Sequence, residues 1–416
     1  MLLVPAARAQ TASGPVRLFL DCQDTDCDDD FLRTEVKFVD YVRDRADADV
    51  HVIVTTQRNG SGGDTYTLRF LGQARFDGVN DELTFATSQT DTDDAERRAL
   101  ARTLAAGLVR YAARAGGLAN LTIGYTAPAG SASSPTAEAR DVWNRWIFRL
   151  SARGFTNGEK RYTNSNVFLN ASANRTTERL KTRVSAFGSR SLNRFVIDSV
   201  TTSRNAQRSL GASAGLVYSL APRISAALDA NVNSATFSNT DLRVSLSPGV
   251  EYSVFPYSES TSRLFTLRYR ITPQFVDYRA ETIFSKTEEF LVNQGVEANL
   301  ALKQPWGQVD FSAEAGHYLH DASKYRLSFY TGLELQLIRG LSLDLNANYA
   351  RIRDQLNIER GEESDEDILL RRRQLGTGYS YFASVGLSYT FGSIFNDVVN
   401  PRFGGGGGGR SFSFNN

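Results

Sequence analysis

From Trp143 to Phe391 apolar and polar residues alternate along most of the chain, in segment after segment. Period-two alternation marks a β-strand whose two faces meet different surroundings. The first segment places Trp146, Phe148, Leu150 and Ala152 on one parity. A later one places Ile224, Ala226, Leu228, Ala230 and Val232 there, and the last Tyr381, Val385, Leu387 and Tyr389. About twelve such segments can be traced. They run past the roughly 9–11 residues that a tilted strand needs to cross a bilayer, whereas strands of soluble sandwiches usually stop at about 5–6. The pattern therefore predicts an antiparallel transmembrane β-barrel of about 12 strands over residues 142–391.

Residues 14–125 lack this long alternation and mix two periods. Val16–Leu20, Asp49–Thr55, Tyr66–Leu71 and Glu82–Thr87 read as strands, with a hairpin at Asn59–Asp64. Phe31 to Arg45 carries an apolar stripe at helical spacing. Thr92-Asp93-Asp94 with Glu96 resembles a capping box ahead of Leu100, Leu104, Leu108 and Tyr111. Leu121–Tyr125 can add an edge strand. The predicted order is β-α-β-β-β-α, an α/β module large enough for its own core. Residues 126–141, with Pro128 and Pro135 in a Gly/Ser/Ala-rich stretch, read as a linker.

The formal net charge of +1 offers no basic excess for nucleic acid. No run of about 18 apolar residues exists, so no transmembrane helix is expected; a mean hydropathy of −0.32 does not argue against a barrel, which alternates. Residues 1–13 hold Ala7-Arg8-Ala9, the small-x-small form of a signal-peptidase site, and read as a signal-peptide remnant. Cys22 and Cys27 are the only cysteines, and in an exported chain they most simply form a disulfide. Between and after them Asp24, Asp26, Asp28, Asp30 and Glu35 match positions of a calcium loop. Asp29 stands where that loop needs glycine, and helix capping accounts for the same acids. No metal site and no cofactor is assigned.

Loop lengths suggest an orientation. Asn174–Glu178, Ser219–Arg223, Pro256–Ser262, Lys303–Gln308 and Arg339-Gly340 are tight, whereas Arg190–Arg208 and Asp354–Arg373 are long and charged. Short turns on the module's side and long loops opposite is the outer-membrane rule, to which the first hairpin, Asn157-Gly158-Glu159-Lys160, short for an external loop, is the exception.

Candidate chemistry is sparse. Gly211-Ala212-Ser213-Ala214-Gly215 fits the nucleophile-elbow pattern but falls mid-strand, where the strand–turn–helix context is missing. His317 and His320 differ in parity and His51 alternates with valines on a strand, so no catalytic residue is assigned. The lumen parity says more. Arg149, Arg153, Lys181, Arg183, Arg268 and Arg270 come from the first, third and seventh barrel strands. Asp229, Glu251, Glu297, Asp310, Glu314, Glu334 and Asp344 come from the fifth, sixth and eighth to eleventh. These residues either line a narrow aqueous pore with a transverse field or fill the lumen as ion-paired networks.

The closing octet holds Ser384, Gly386, Tyr389 and Phe391 and resembles the carboxy-terminal signal by which the barrel-assembly machinery recognises its substrates. Residues 392–416 follow it as a tail with glycine at each position from Gly404 to Gly409, flexible linker chemistry. The order of elements in the module looks like the small periplasmic domains of envelope-spanning systems, such as the amino-terminal domain of the Tol-system propeller protein and the curli secretion lipoprotein. The whole layout resembles uncharacterised two-part Gram-negative outer-membrane proteins with an amino-terminal periplasmic α/β domain and a barrel. That resemblance implies outer-membrane lipid around the barrel, with module and tail in the periplasm. It leaves two expectations for function: a narrow channel for polar solutes or an export conduit, or a closed anchor whose module binds an envelope partner.

Overall fold

The computed structural model describes residues 14–23, 25, 27–60, 62–116, 141–196, 202–361, 374 and 376–395. The signal-like segment, the strand expected at Leu121–Tyr125, the linker from 126 to 140 and the glycine tail lie outside the described residues. Two compact units result. One holds the described residues up to 116 together with Gln336–Ser342 and 387–395, and the other holds 141–335 and Leu343–Gly386.

The amino-terminal module is a five-stranded mixed sheet with two helices. Strands β1 (Val16–Cys22), β2 (Val39–Tyr41), β3 (Val50–Arg58), β4 (Asp64–Gly72) and β5 (Asn80–Ala86) lie in the order β2-β1-β3-β4-β5. The first three are mutually parallel and the last two join antiparallel. Helix α1 (Asp29–Glu35) is shorter than its apolar stripe predicts. The chain leaves the helix at Val36, and Val39 and Tyr41 point inward from a further strand. A β-branched residue and an aromatic at alternate positions fit a strand better than a helix, and parallel pairing with β1 decides the contest.

Helix α2 (Asp93–Arg114) opens on Thr92, whose hydroxyl accepts from the Ala95 N–H at 3.2 Å, with Asp93, Asp94 and Glu96 in its first turn. It buries Leu100, Leu104, Leu108 and Tyr111 against Val50, Val52, Val54, Leu68 and Phe70. Gly107 lies against the Phe70 ring, where a Cβ would collide, so the helix can approach the sheet closely only with glycine there.

The second unit is built on a twelve-stranded antiparallel sheet in simple up-and-down order. Its strands are β6 (Trp146–Gly158), β7 (Tyr162–Thr176), β8 (Leu180–Val196), β9 (Thr202–Ala221), β10 (Ile224–Ala235) and β11 (Thr240–Ser253). They continue with β12 (Arg263–Tyr278), β13 (Glu288–Gln304), β14 (Gly307–Tyr318), β15 (Asp321–Ile338), β16 (Leu341–Ile352) and β17 (Tyr379–Tyr389). Strands β6 and β17 are its free edges and do not pair with each other. The stretch Arg190–Arg208, expected as a long loop, is mostly strand: β8 and β9 run on in continuous register from Leu180↔Tyr218 to Val196↔Thr202. No glycine or proline interrupts the sequence from Arg190 to Arg208, so nothing local stops the ladder.

Burial along this sheet is inverted. On β11 the apolar Leu242, Val244, Leu246, Val250 and Tyr252 are exposed, while Arg243, Ser245, Ser247 and Glu251 between them are half-buried. Leu150 is 84 % exposed and Leu387 67 %. A sheet in water buries the opposite set.

Candidate functional site

The register tests whether the lumen candidates share a face. Following directly paired residues, Arg149 meets Ser172, which meets Ser185, then Ser213, Asn231, Ser245, Gln274 and Leu291. By parity from this line, Arg153, Lys181, Arg183, Asp229, Glu251, Arg268, Arg270 and Glu297 belong to one face. Glu314 pairs with Glu297 and joins them, with Asp310 and Glu334 on the same parity of their strands. Gly386 lies against Asp344, which brings β16 and β17 into contact at this level.

The cations of this face fall into two groups. On β12, Arg268 donates to Glu251 at 2.7 Å and to Glu297 at 3.0 Å. Glu251 also accepts from the Tyr257 hydroxyl at 2.8 Å, and Glu297 from the Asn299 amide at 2.8 Å. Arg270 reaches across a strand to Glu314. By contrast Arg149, Arg153, Lys181 and Arg183, on β6 and β8, are exposed, and among the described residues they form no ion pair. Alternation alone assigns both groups to one face but does not separate neutralised arginines from open ones.

The polar face also carries an apolar cluster. Val276, Tyr278 and Leu291 are buried there together with Leu356 from the connection after β16, and Tyr318 packs against them. The doubled apolar pairs Phe275-Val276 and Phe290-Leu291 break strict alternation and were the available signal. The connection is held as a strap. Arg326 binds Asp354 through two hydrogen bonds, at 2.9 and 3.0 Å. Asn357 donates to the Ser238 carbonyl at 2.9 Å. Glu359 bridges Thr282, and the Arg360 N–H reaches the Glu281 carbonyl at 2.8 Å. The strap thus runs from β16 to the β12–β13 and β10–β11 turns, over one end of the polar face.

The remaining candidates resolve simply. Cys22 and Cys27 are joined in a disulfide with Cα atoms 6.2 Å apart. Asp28 caps α1 through the Phe31 N–H at 3.1 Å and pairs with Arg97 at 2.9 Å; Asp24 and Asp26 lie outside the described residues. Ser213 lies within β9 and shares a hydrogen bond with Ser185 at 2.8 Å, on a strand and not at a turn. His317 meets Gln294 at 2.8 Å, and buried His51 meets Asp21 at 3.1 Å. Ser384 and Gly386 lie in β17, one of the two free edges, and the Tyr389 and Phe391 rings stack with centroids 5.7 Å apart.

No protein-family profile matches the chain, and no curated protein does. Among solved structures it is similar to the NanC porin (9 % identity, TM-score 0.28), covering 58 % of this chain and all of that one. The transport unit of the autotransporter AIDA-I from Escherichia coli aligns at 10 % identity and TM-score 0.25, over 59 % of this chain and 90 % of that one. CdiB from Acinetobacter baumannii aligns at 8 % identity and TM-score 0.27, over 82 % and 71 %. Scores of this size fix neither fold nor function. What defines the class is the chain's own architecture: a small mixed α/β domain followed by a twelve-stranded antiparallel sheet, apolar and exposed on one face, polar on the other.

Proposed function

We propose that the chain is an outer-membrane β-barrel, its sheet closing edge to edge in the bilayer around a narrow aqueous lumen that conducts small polar solutes, anions preferentially. The inverted burial supports the membrane, because an exposed apolar face is stable only against hydrocarbon. One observation carries the selectivity: the wall formed by Arg149, Arg153, Lys181 and Arg183 has no carboxylate partner among the described residues, whereas Arg268 and Arg270 are neutralised. Open cations beside a narrow path raise the local potential and draw anions. The module and tail lie on the periplasmic side in this reading, β17 presents the signal to the assembly machinery, and no catalytic step is involved.

The second reading is a closed anchor whose module binds a periplasmic partner, and the strap over Val276, Tyr278 and Leu291 favours it. Planar-bilayer conductance of Arg149→Gln and Arg268→Gln separates the two. The channel reading expects Arg149→Gln to move the reversal potential toward cations with stability unchanged. It expects Arg268→Gln to cost about 1–3 kcal/mol by stranding Glu251 and Glu297, a range reduced for their partial exposure. Wild-type protein that inserts but never conducts would end the channel reading.

A further inference from the structure

Beyond the lipid-facing band, the hairpin of β8 and β9 carries Arg190, Arg194, Arg204 and Arg208 on the parity of Val184, Ala186, Leu210 and Ala212. They form two rungs, Arg190 directly opposite Arg208 and Arg194 directly opposite Arg204, with Leu192 opposite Ala206 between them. All four are exposed, and among the described residues none forms an ion pair; Asp198 lies outside those residues. Like charges directly opposed on a ladder destabilise it, so two such rungs in succession are not explained by the fold. The opposite parity carries Ser191, Asn193, Asn205 and Gln207, so alternation itself would have been served by any polar or apolar choice.

We propose that Arg190, Arg194, Arg204 and Arg208 form a binding site for phosphate groups on lipid headgroups of the leaflet that this hairpin reaches. The inference rests on the membrane reading above. Guanidinium groups match phosphate oxygens with paired hydrogen bonds, and a phosphate between two opposed arginines turns their repulsion into attraction. The rungs lie four residues apart, which at roughly 3.4 Å per residue is about 13–14 Å. That spacing accommodates two phosphates of one large headgroup or of neighbouring lipids. Leu192, Ala206 and Leu210 continue the apolar surface up to and between the rungs, so the site is reached by a headgroup whose acyl chains lie on the sheet below. A free anion would have no use for that continuity.

The test uses the full folded chain in detergent and native mass spectrometry with bisphosphorylated lipid A, its dephosphorylated form and inorganic phosphate. Wild type should retain the phosphorylated lipid at least ten-fold more tightly than the dephosphorylated one, and the preference should fall with Arg190→Gln/Arg208→Gln and fall again with Arg194→Gln/Arg204→Gln. Each paired variant should melt no lower than wild type, since it removes repulsion; a lower melting point would mean the arginines serve the fold and would overturn the site. Equal retention of both lipids, or displacement by inorganic phosphate at comparable concentration, would overturn it as well. Wild-type protein that does not insert into vesicles removes the membrane reading itself, whereas insertion without lipid preference removes only the site.

Discussion

The module and the twelve-stranded sheet use the same residue types and bury them in opposite senses. In the module Leu104 and Leu108 are fully buried between α2 and the sheet. In the second unit Leu228 is 42 % exposed, while its neighbour Asp229 occupies the polar face. One core is made by water exclusion; the other arrangement is stable only if something apolar replaces water outside. The same residue types, buried in one unit and exposed in the other, therefore report different solvents.

The comparison is broken most severely inside the module. Leu104→Ala removes a fully buried side chain from a packed interface and should cost about 2–5 kcal/mol. Pulse proteolysis of the module in urea, on the intact chain, reads this directly. A loss below about 1 kcal/mol would mean the α2 face is not the core.

On the sheet, polarity should matter more than size. Leu228→Arg puts a charge on the apolar face and should cost about 2–4 kcal/mol in bilayers. Asp229→Asn, one residue on and facing the other way, should leave folding nearly unchanged. Heat-modifiability on gels reports both, and equal damage from the two would show that the faces are assigned the wrong way round.

Most of the fold was legible because alternation is a direct imprint of a two-faced sheet. All twelve strands and their tight turns follow from it, as does the common face of Arg149, Arg268 and Glu297. Three things were not. The end of helix α1 is ambiguous in the sequence because Phe38 and Val42 fit helical spacing as well as Val39 and Tyr41 fit a strand, and only pairing with β1 decides between them. The extent of β8 and β9 is hidden in the sequence because arginines at alternate positions look like loop charge until their partners are known. The strap is not visible in the sequence because Leu356 and Ile358 acquire meaning only from contacts made far along the chain, with Leu291 and Ile283. Periodicity records which face a residue takes, not what covers that face.

The smallest effect expected concerns charge, and it sharpens the contrast between a buried ion pair and an open one. Asp49 is 3 % exposed and accepts from the Arg17 guanidinium at 3.0 Å, from the Arg17 N–H at 3.0 Å and from Arg75 at 3.0 Å. Burial alone would push its carboxyl up. The hydrogen bonds from Arg17 and the charges of Arg75 and Arg17 outweigh it and hold Asp49 below the usual carboxylate range. A depressed folded value means that the stabilisation is complete above the unfolded pKa, about 4, and is lost as pH falls through the lower folded value. Asp49→Asn should therefore cost the module about 1 kcal/mol at pH 7, a figure kept small because Arg17 is partly exposed. The gap between wild type and variant should close as the pH drops below about 4. Urea midpoints of the module measured at pH 7, 5 and 3 test it. A gap that stays constant across that range would mean that Asp49 contributes through packing and neutral hydrogen bonds, and not through its charge.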